Sequence, residues 1–383
     1  MMIEKIKLFR LLIFLSLIQL YTVQASRVIA MIAIPEGNSP AAIAITPNGK
    51  FGYVANSNND NVPGGSTVTV LDLATNTIVK TITHASFNEP YTVTINTAGT
   101  KAYVTNSGGT TVSIIDIATN TVTDTIVGFD GPSGFVITPD EATAYVNNYG
   151  SAAGVGSGNG TTVNVVNLNT NTISGTIMVG LAPASLAVTP DGSRVYTINY
   201  VNGNPGTGTM SIIRTSDNTV VGTIKGFFGP FGIAITPDGN FAYVTNFGSN
   251  NFSPLTGGIA PNVVSGTTVS KVNLNSNNIV ATFTLGNQPA GVAITPDGKF
   301  VYTSNYNTFY LGANFTNLTP GTGTINVIDV CCDKILCPEI VVGSSPASVT
   351  ITPDGTRAYI ANYSSNDVSV INIVDCAWLN VCC

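Results

Sequence analysis

Short apolar runs alternate with polar, turn-forming groups along almost the whole chain. In the first copy of the pattern the runs are Ala41–Thr46, Phe51–Ala55, Thr67–Leu73 and Thr77–Thr83. They are rich in Val, Ile, Thr and Tyr and too short for helices, so they predict strands. Pro-Asn-Gly or Pro-Asp-Gly separates the first run from the second, a tight hairpin signal. Ala-Thr-Asn-Thr or a variant separates the third from the fourth.

The pattern recurs seven times. Its anchors are Tyr53, Tyr103, Tyr145, Tyr196, Tyr243, Tyr302 and Tyr359. Each is followed three residues later by an asparagine: Asn56, Asn106, Asn148, Asn199, Asn246, Asn305 and Asn362. The units open near residues 40, 90, 132, 183, 230, 289 and 346, each at a proline. Four strands per unit predict an all-β, seven-bladed β-propeller of four-stranded antiparallel blades. The last unit lacks a fourth run, and 27–34 (Arg-Val-Ile-Ala-Met-Ile-Ala-Ile) precedes the first unit without a partner. This segment is expected to complete the last blade and close the ring, which removes two open sheet edges.

The recurring Tyr-Val-x-Asn with Thr-Pro-Asp-Gly resembles the YVTN family of β-propeller repeat proteins. Tyr103-Val104-Thr105-Asn106 and Tyr243-Val244-Thr245-Asn246 match its name motif letter for letter. The resemblance implies an exported, surface-layer-like protein and no particular reaction. Two hairpins depart from the pattern: Thr97-Ala98-Gly99, and Asp140-Glu141 without the glycine. Those are expected to be looser.

Charge changes the picture at the N-terminus. Lys5, Lys7 and Arg10 precede the apolar Leu11 to Leu20, and Val23-Gln24-Ala25 is a small-residue cleavage site. That is the pattern of a secretory signal over residues 1–25, so a propeller over 26–383 that is periplasmic, cell-surface or secreted is expected. No later stretch is long enough to cross a bilayer. Without the signal the net charge moves from −6 to −8. An acidic balance argues against nucleic acid, which needs a basic footprint.

The long insertions follow the anchor asparagines: 56–66, 148–161, 199–207, 246–267 and 305–322. In a propeller these loops share one face, here called upper. The residue after the asparagine is aromatic in five blades, as Tyr149, Tyr200, Phe247, Tyr306 and Tyr363, and serine in two, as Ser57 and Ser107. These five aromatics are the candidate contact surface for a protein or glycan at the cell surface. The competing expectation is that they plug the channel. Further aromatics expected in loops of that face are Phe87, Tyr91, Phe129, Phe227, Phe228, Phe231, Phe309, Tyr310 and Phe315.

Catalytic signals are sparse. His84 is the one histidine, and no Gly-x-Ser-x-Gly elbow or Cys-x-x-Cys-His occurs. Asp60 alone is thin for calcium. No catalytic residue, metal or cofactor is expected. A lactonase-like hydrolase and a nucleic-acid-binding propeller remain as alternatives to the non-enzymatic binding module. Cys331, Cys332, Cys337, Cys376, Cys382 and Cys383 all lie near the C-terminus; an even count in an exported chain makes them disulfide candidates that fix the tail.

Overall fold

The computed structural model describes residues 27–35, 38–57, 66–150, 158–200, 206–248, 265–310, 318–336 and 339–373. The expected signal at 1–25 lies outside them. The described residues contain no helix, and their strands form seven blades. Blade 1 is Pro40–Ile45, Phe51–Asn56, Thr67–Asp72 and Thr77–Ile82, hydrogen-bonded in that order from the channel outward. Blades 2 to 6 open with Pro90–Ile95, Pro132–Ile137, Pro183–Val188, Pro230–Ile235 and Pro289–Ile294 and repeat the order. The fourth strand of blade 6 is broken into Lys334–Ile335 and Ile340–Ser344. The first strands touch their neighbours all the way round.

The ring closes as the sequence predicts. Blade 7 contains Pro346–Ile351, Arg357–Asn362 and Asp367–Asn372, and its outermost strand is Arg27–Ala33, antiparallel to Asp367–Asn372. Asn366 fastens the junction: its carbonyl accepts the Ile34 N–H at 2.8 Å and its Oδ1 accepts the Ser39 N–H at 2.9 Å.

The core lies between blades. Tyr53 packs with Val104 and Ile115 of blade 2, while Val54 packs with Tyr359 and Val368 of blade 7. Successive residues of a strand point to opposite faces, and both faces of a blade are covered. The second strand therefore reads Tyr-Val without a polar break. The motif tyrosines are almost wholly buried, and Tyr53, Tyr145 and Tyr359 donate their hydroxyls to Asn120, Asn218 and Asn76 of the following blade. Those asparagines occupy the left-handed region in the turn between third and fourth strands, with φ of 53°, 57° and 54°. Asparagine tolerates that conformation and also supplies the acceptor.

The two irregular hairpins are joined to each other rather than loose. Glu141, at φ 57°, takes the glycine's place in its turn and reaches back to blade 2. It accepts the Ala98 N–H at 2.9 Å, Asn96 Nδ2 at 3.2 Å and the Thr97 hydroxyl. The Glu141 carboxylate thus stands in for the aspartate that the blade 2 turn lacks.

Candidate functional site

The motif builds the upper mouth of the channel from three concentric positions. The residue before each opening proline is left-handed in every blade: Ser39, Glu89, Gly131, Ala182, Gly229, Gln288 and Ser345, with φ between 42° and 56°. A following proline disfavours the right-handed helical region. The left-handed turn aims each carbonyl at the amide of the residue after the anchor asparagine. Ser57, Ser107, Tyr149, Tyr200, Phe247, Tyr306 and Tyr363 donate to it at 2.9 to 3.0 Å. The residue after the proline completes the set: Ala41, Tyr91, Ser133, Ala184, Phe231, Ala290 and Ala347.

Beneath this frame the asparagine clamps its own loop. Asn56 Nδ2 donates to Thr67 and Thr69 Oγ1, each at 2.9 Å, and Asn106, Asn148, Asn199, Asn246, Asn305 and Asn362 make the equivalent pair of bonds to their third strands. Insertions of different length therefore leave from one fixed base. Asn362, which opens the triplet Asn-Tyr-Ser, is wholly buried in this clamp.

The five predicted aromatics gather at the mouth. Ring centroids are 5.8 Å apart for Phe247 and Tyr306 and 6.4 Å for Tyr306 and Tyr363, and Phe231 extends the chain at 5.1 Å from Phe247. Tyr200 and Phe247 are only 4% and 5% exposed and act as packing; Tyr149, Tyr306 and Tyr363 are half-buried. Phe87, Phe129 and Phe227, expected in loops of this face, are buried between blades, because their apolar surface continues the fourth-strand stripe inward.

Where the aromatic ring is interrupted by serine, a cavity of about 220 Å³ opens. It is lined by Ser57, Ser107, Ser133, Tyr91, Tyr149, Phe231, Tyr363 and Glu89, with backbone from Gly131 and Gly150 and the methyl of Ala184. Burial, and then the neighbouring phenols of Tyr149, Tyr306 and Tyr363, push the Tyr91 hydroxyl far above its ordinary pKa. Burial alone pushes Tyr149 up to about 12. Tyr91 faces the cavity rather than bulk water.

Glu89 is the functional residue that the repeat reading passed over. Among the three mouth positions it is the one ionisable carboxyl, standing where other blades carry Ser, Gly, Ala or Gln. Its N–H donates to Ser66 Oγ at 3.3 Å, and its carbonyl accepts the Ser107 N–H and hydroxyl, both at 3.0 Å. Among the described residues no hydrogen bond or ion pair engages its carboxylate. Burial raises its pKa. Aligning the residues before each opening proline would have singled it out.

The lower face carries the hairpin turns. Threonine hydroxyls hold the carboxyls of Asp140, Asp191 and Asp354 below the ordinary range. A groove of about 510 Å³ between blades 7 and 1 is lined by Lys50, Asp72, Asp354 and Arg357 among apolar side chains, and Arg357 already donates to the Leu73 carbonyl at 2.9 Å. His84 lies apart, exposed, with its Nδ1 2.8 Å from Ser86 Oγ. Among the described residues no three His, Cys, Asp or Glu side chains converge as a metal site. Cys331 and Cys332 stand in the turn before Lys334–Ile335, their N–H groups donated to Asp329 Oδ1 at 2.8 Å. Cys337, Cys376, Cys382 and Cys383 lie outside the described residues, as do the middles of the long insertions.

No family model matches the chain, and no curated protein sequence does. Among solved structures it is similar to hydrazine synthase of Kuenenia stuttgartiensis, with a TM-score of 0.72 and 22% identity over 89% of this chain and 97% of that one. Likeness at that identity carries the fold alone.

Proposed function

We propose that the chain is an exported, non-enzymatic β-propeller that binds a protein or glycan partner at the cell surface through its upper mouth. The observation that carries this is the cavity where Tyr91, Tyr149, Phe231 and Tyr363 converge. Concave sites lined by aromatics with a few polar groups are the usual form of a ligand site. The long insertions all follow second strands, whose C-terminal ends lie at that mouth, and repeat scaffolds place their binding loops in this way. The signal at 1–25 and the resemblance to the YVTN family favour an exported, surface-facing protein. Catalysis draws no comparable support: the mouth offers one carboxyl and no base beside it.

The test compares immobilised protein with a Tyr149→Ala/Tyr306→Ala/Tyr363→Ala variant for retention of defined cell-envelope glycans and envelope proteins. Tyr200 and Phe247 are left intact, since truncating buried aromatics costs about 3–5 kcal/mol. Retention lost in the variant, with an unchanged thermal midpoint, supports the proposal. Equal retention by both places the contact elsewhere.

A further inference from the structure

We propose that the mouth cavity is a receptor for an alkylated ammonium group, held against Tyr91, Tyr149, Tyr363 and Phe231 with Glu89 as its counter-charge. The inference rests on the mouth being the binding site and names the ligand chemistry that it takes.

Three observations favour a cation over other ligands. First, the lining contains one carboxylate and neither Lys nor Arg. An anion would meet uncompensated repulsion there, whereas a cation would pair a charge that no described residue pairs. Second, four of the lining side chains are aromatic, and the negative π-clouds of such rings attract cations, most strongly when water is excluded. Third, two of the three lining serine hydroxyls are already donated to the backbone: Ser107 Oγ donates to the Glu89 carbonyl and Ser133 Oγ to the Pro183 carbonyl, both at 3.0 Å. An alkylated ammonium requires no such donors. The cavity, at about 220 Å³, suits a headgroup rather than a larger ligand, for which sites begin near roughly 300 Å³.

The position of Glu89 is itself informative. It is a non-glycine residue at φ 52°, as are Ser39, Ala182, Gln288 and Ser345 at the equivalent positions, so its charge rather than its backbone sets it apart. A carboxylate is disfavoured there by partial burial without a partner among the described residues. Residues held against such a cost cluster at functional sites. Burial raises the Glu89 pKa, so binding a cation would return the carboxyl to its charged form and release a proton in the window between the two values.

The experiment is calorimetric titration of the full-length mature protein with choline and with its uncharged carbon isostere, dimethylbutanol. Choline should bind the wild type about tenfold or more tightly than the isostere. Glu89→Gln should remove that preference while leaving the thermal midpoint no lower. Tyr91→Leu and Tyr363→Leu should each weaken choline several-fold, and aromatic proton resonances should shift on titration of the wild type. Lowering the pH through the raised Glu89 pKa should weaken choline and leave the isostere unchanged. Equal affinity for both probes, or unaltered discrimination in Glu89→Gln, overturns the cation site. If neither probe binds while the envelope partner is still retained through Tyr149, Tyr306 and Tyr363, the cation site fails and the binding-module proposal stands.

Discussion

Tyr359 Oη donates to Asn76 Oδ1 over 2.8 Å, joining residues 283 positions apart across the seam between last blade and first. The same relationship recurs without a seam between Tyr53 and Asn120 and between Tyr145 and Asn218. The closure thus uses the same bond that joins blade 1 to blade 2 and blade 3 to blade 4. In blade 6 the left-handed position is Asp333, and Lys271 claims it at 2.6 Å; Tyr243 Oη is buried with no partner among the described residues. Tyr359→Phe should therefore destabilise by about 1 kcal/mol, Asn76→Gly by a similar amount, and the double variant by little more than either. Tyr243→Phe should be neutral or slightly stabilising. Chemical denaturation midpoints of the four variants decide this.

Acid stability follows from the lower-face carboxyls. Asp140, Asp191 and Asp354 are held below their ordinary value, near 3.8, so the unfolded chain takes up protons before the folded one does. Their contribution is complete above that value and is lost as pH falls through the lower folded values. Thermal midpoints should be flat down to about pH 5 and fall below about pH 4.

Glu89 runs in the opposite sense. Its pKa is raised by burial, so the folded state loses stability as pH rises from the ordinary glutamate value of 4.5 through the folded value. Glu89→Gln should melt above the wild type at pH 7, and the difference should close toward pH 4. Scanning calorimetry of the pair at both pH values checks the sign.

Relief of the left-handed backbone can be separated from that charge effect. Glu89→Gly adopts φ 52° without a β-carbon, as Gly131 and Gly229 already do. The variant should be neutral to about 1 kcal/mol more stable at pH 4, where the carboxyl is protonated in both states. A loss of more than 1 kcal/mol would show that the Glu89 side chain supports the mouth.

The cysteines give a redox prediction. Cys331 and Cys332 stand in the turn that leads into the outer strand of blade 6, and Cys376, Cys382 and Cys383 follow the last strand of blade 7 in sequence. Protein isolated from an oxidising compartment and denatured without reductant should titrate with fewer than six thiols. Six free thiols would exclude the covalent staple.

The sequence alone determined the blades, their number and the seam. Those properties rest on short apolar runs and hairpin turns, encoded within about fifty residues of local pattern, seven times over. The anchor tyrosines and asparagines were legible as anchors, yet not their partners, because Asn76 meets Tyr359 only once the ring has closed. The mouth was half legible. Tyr149, Tyr306 and Tyr363 were visible as a series, but that Tyr200 and Phe247 are packed away depends on how neighbouring rings fill a shared space. Glu89 and Tyr91 reach the same cavity as Tyr363 of a blade remote in sequence. Only curvature of the whole ring brings them together, since no local periodicity encodes which side chains face each other across a channel.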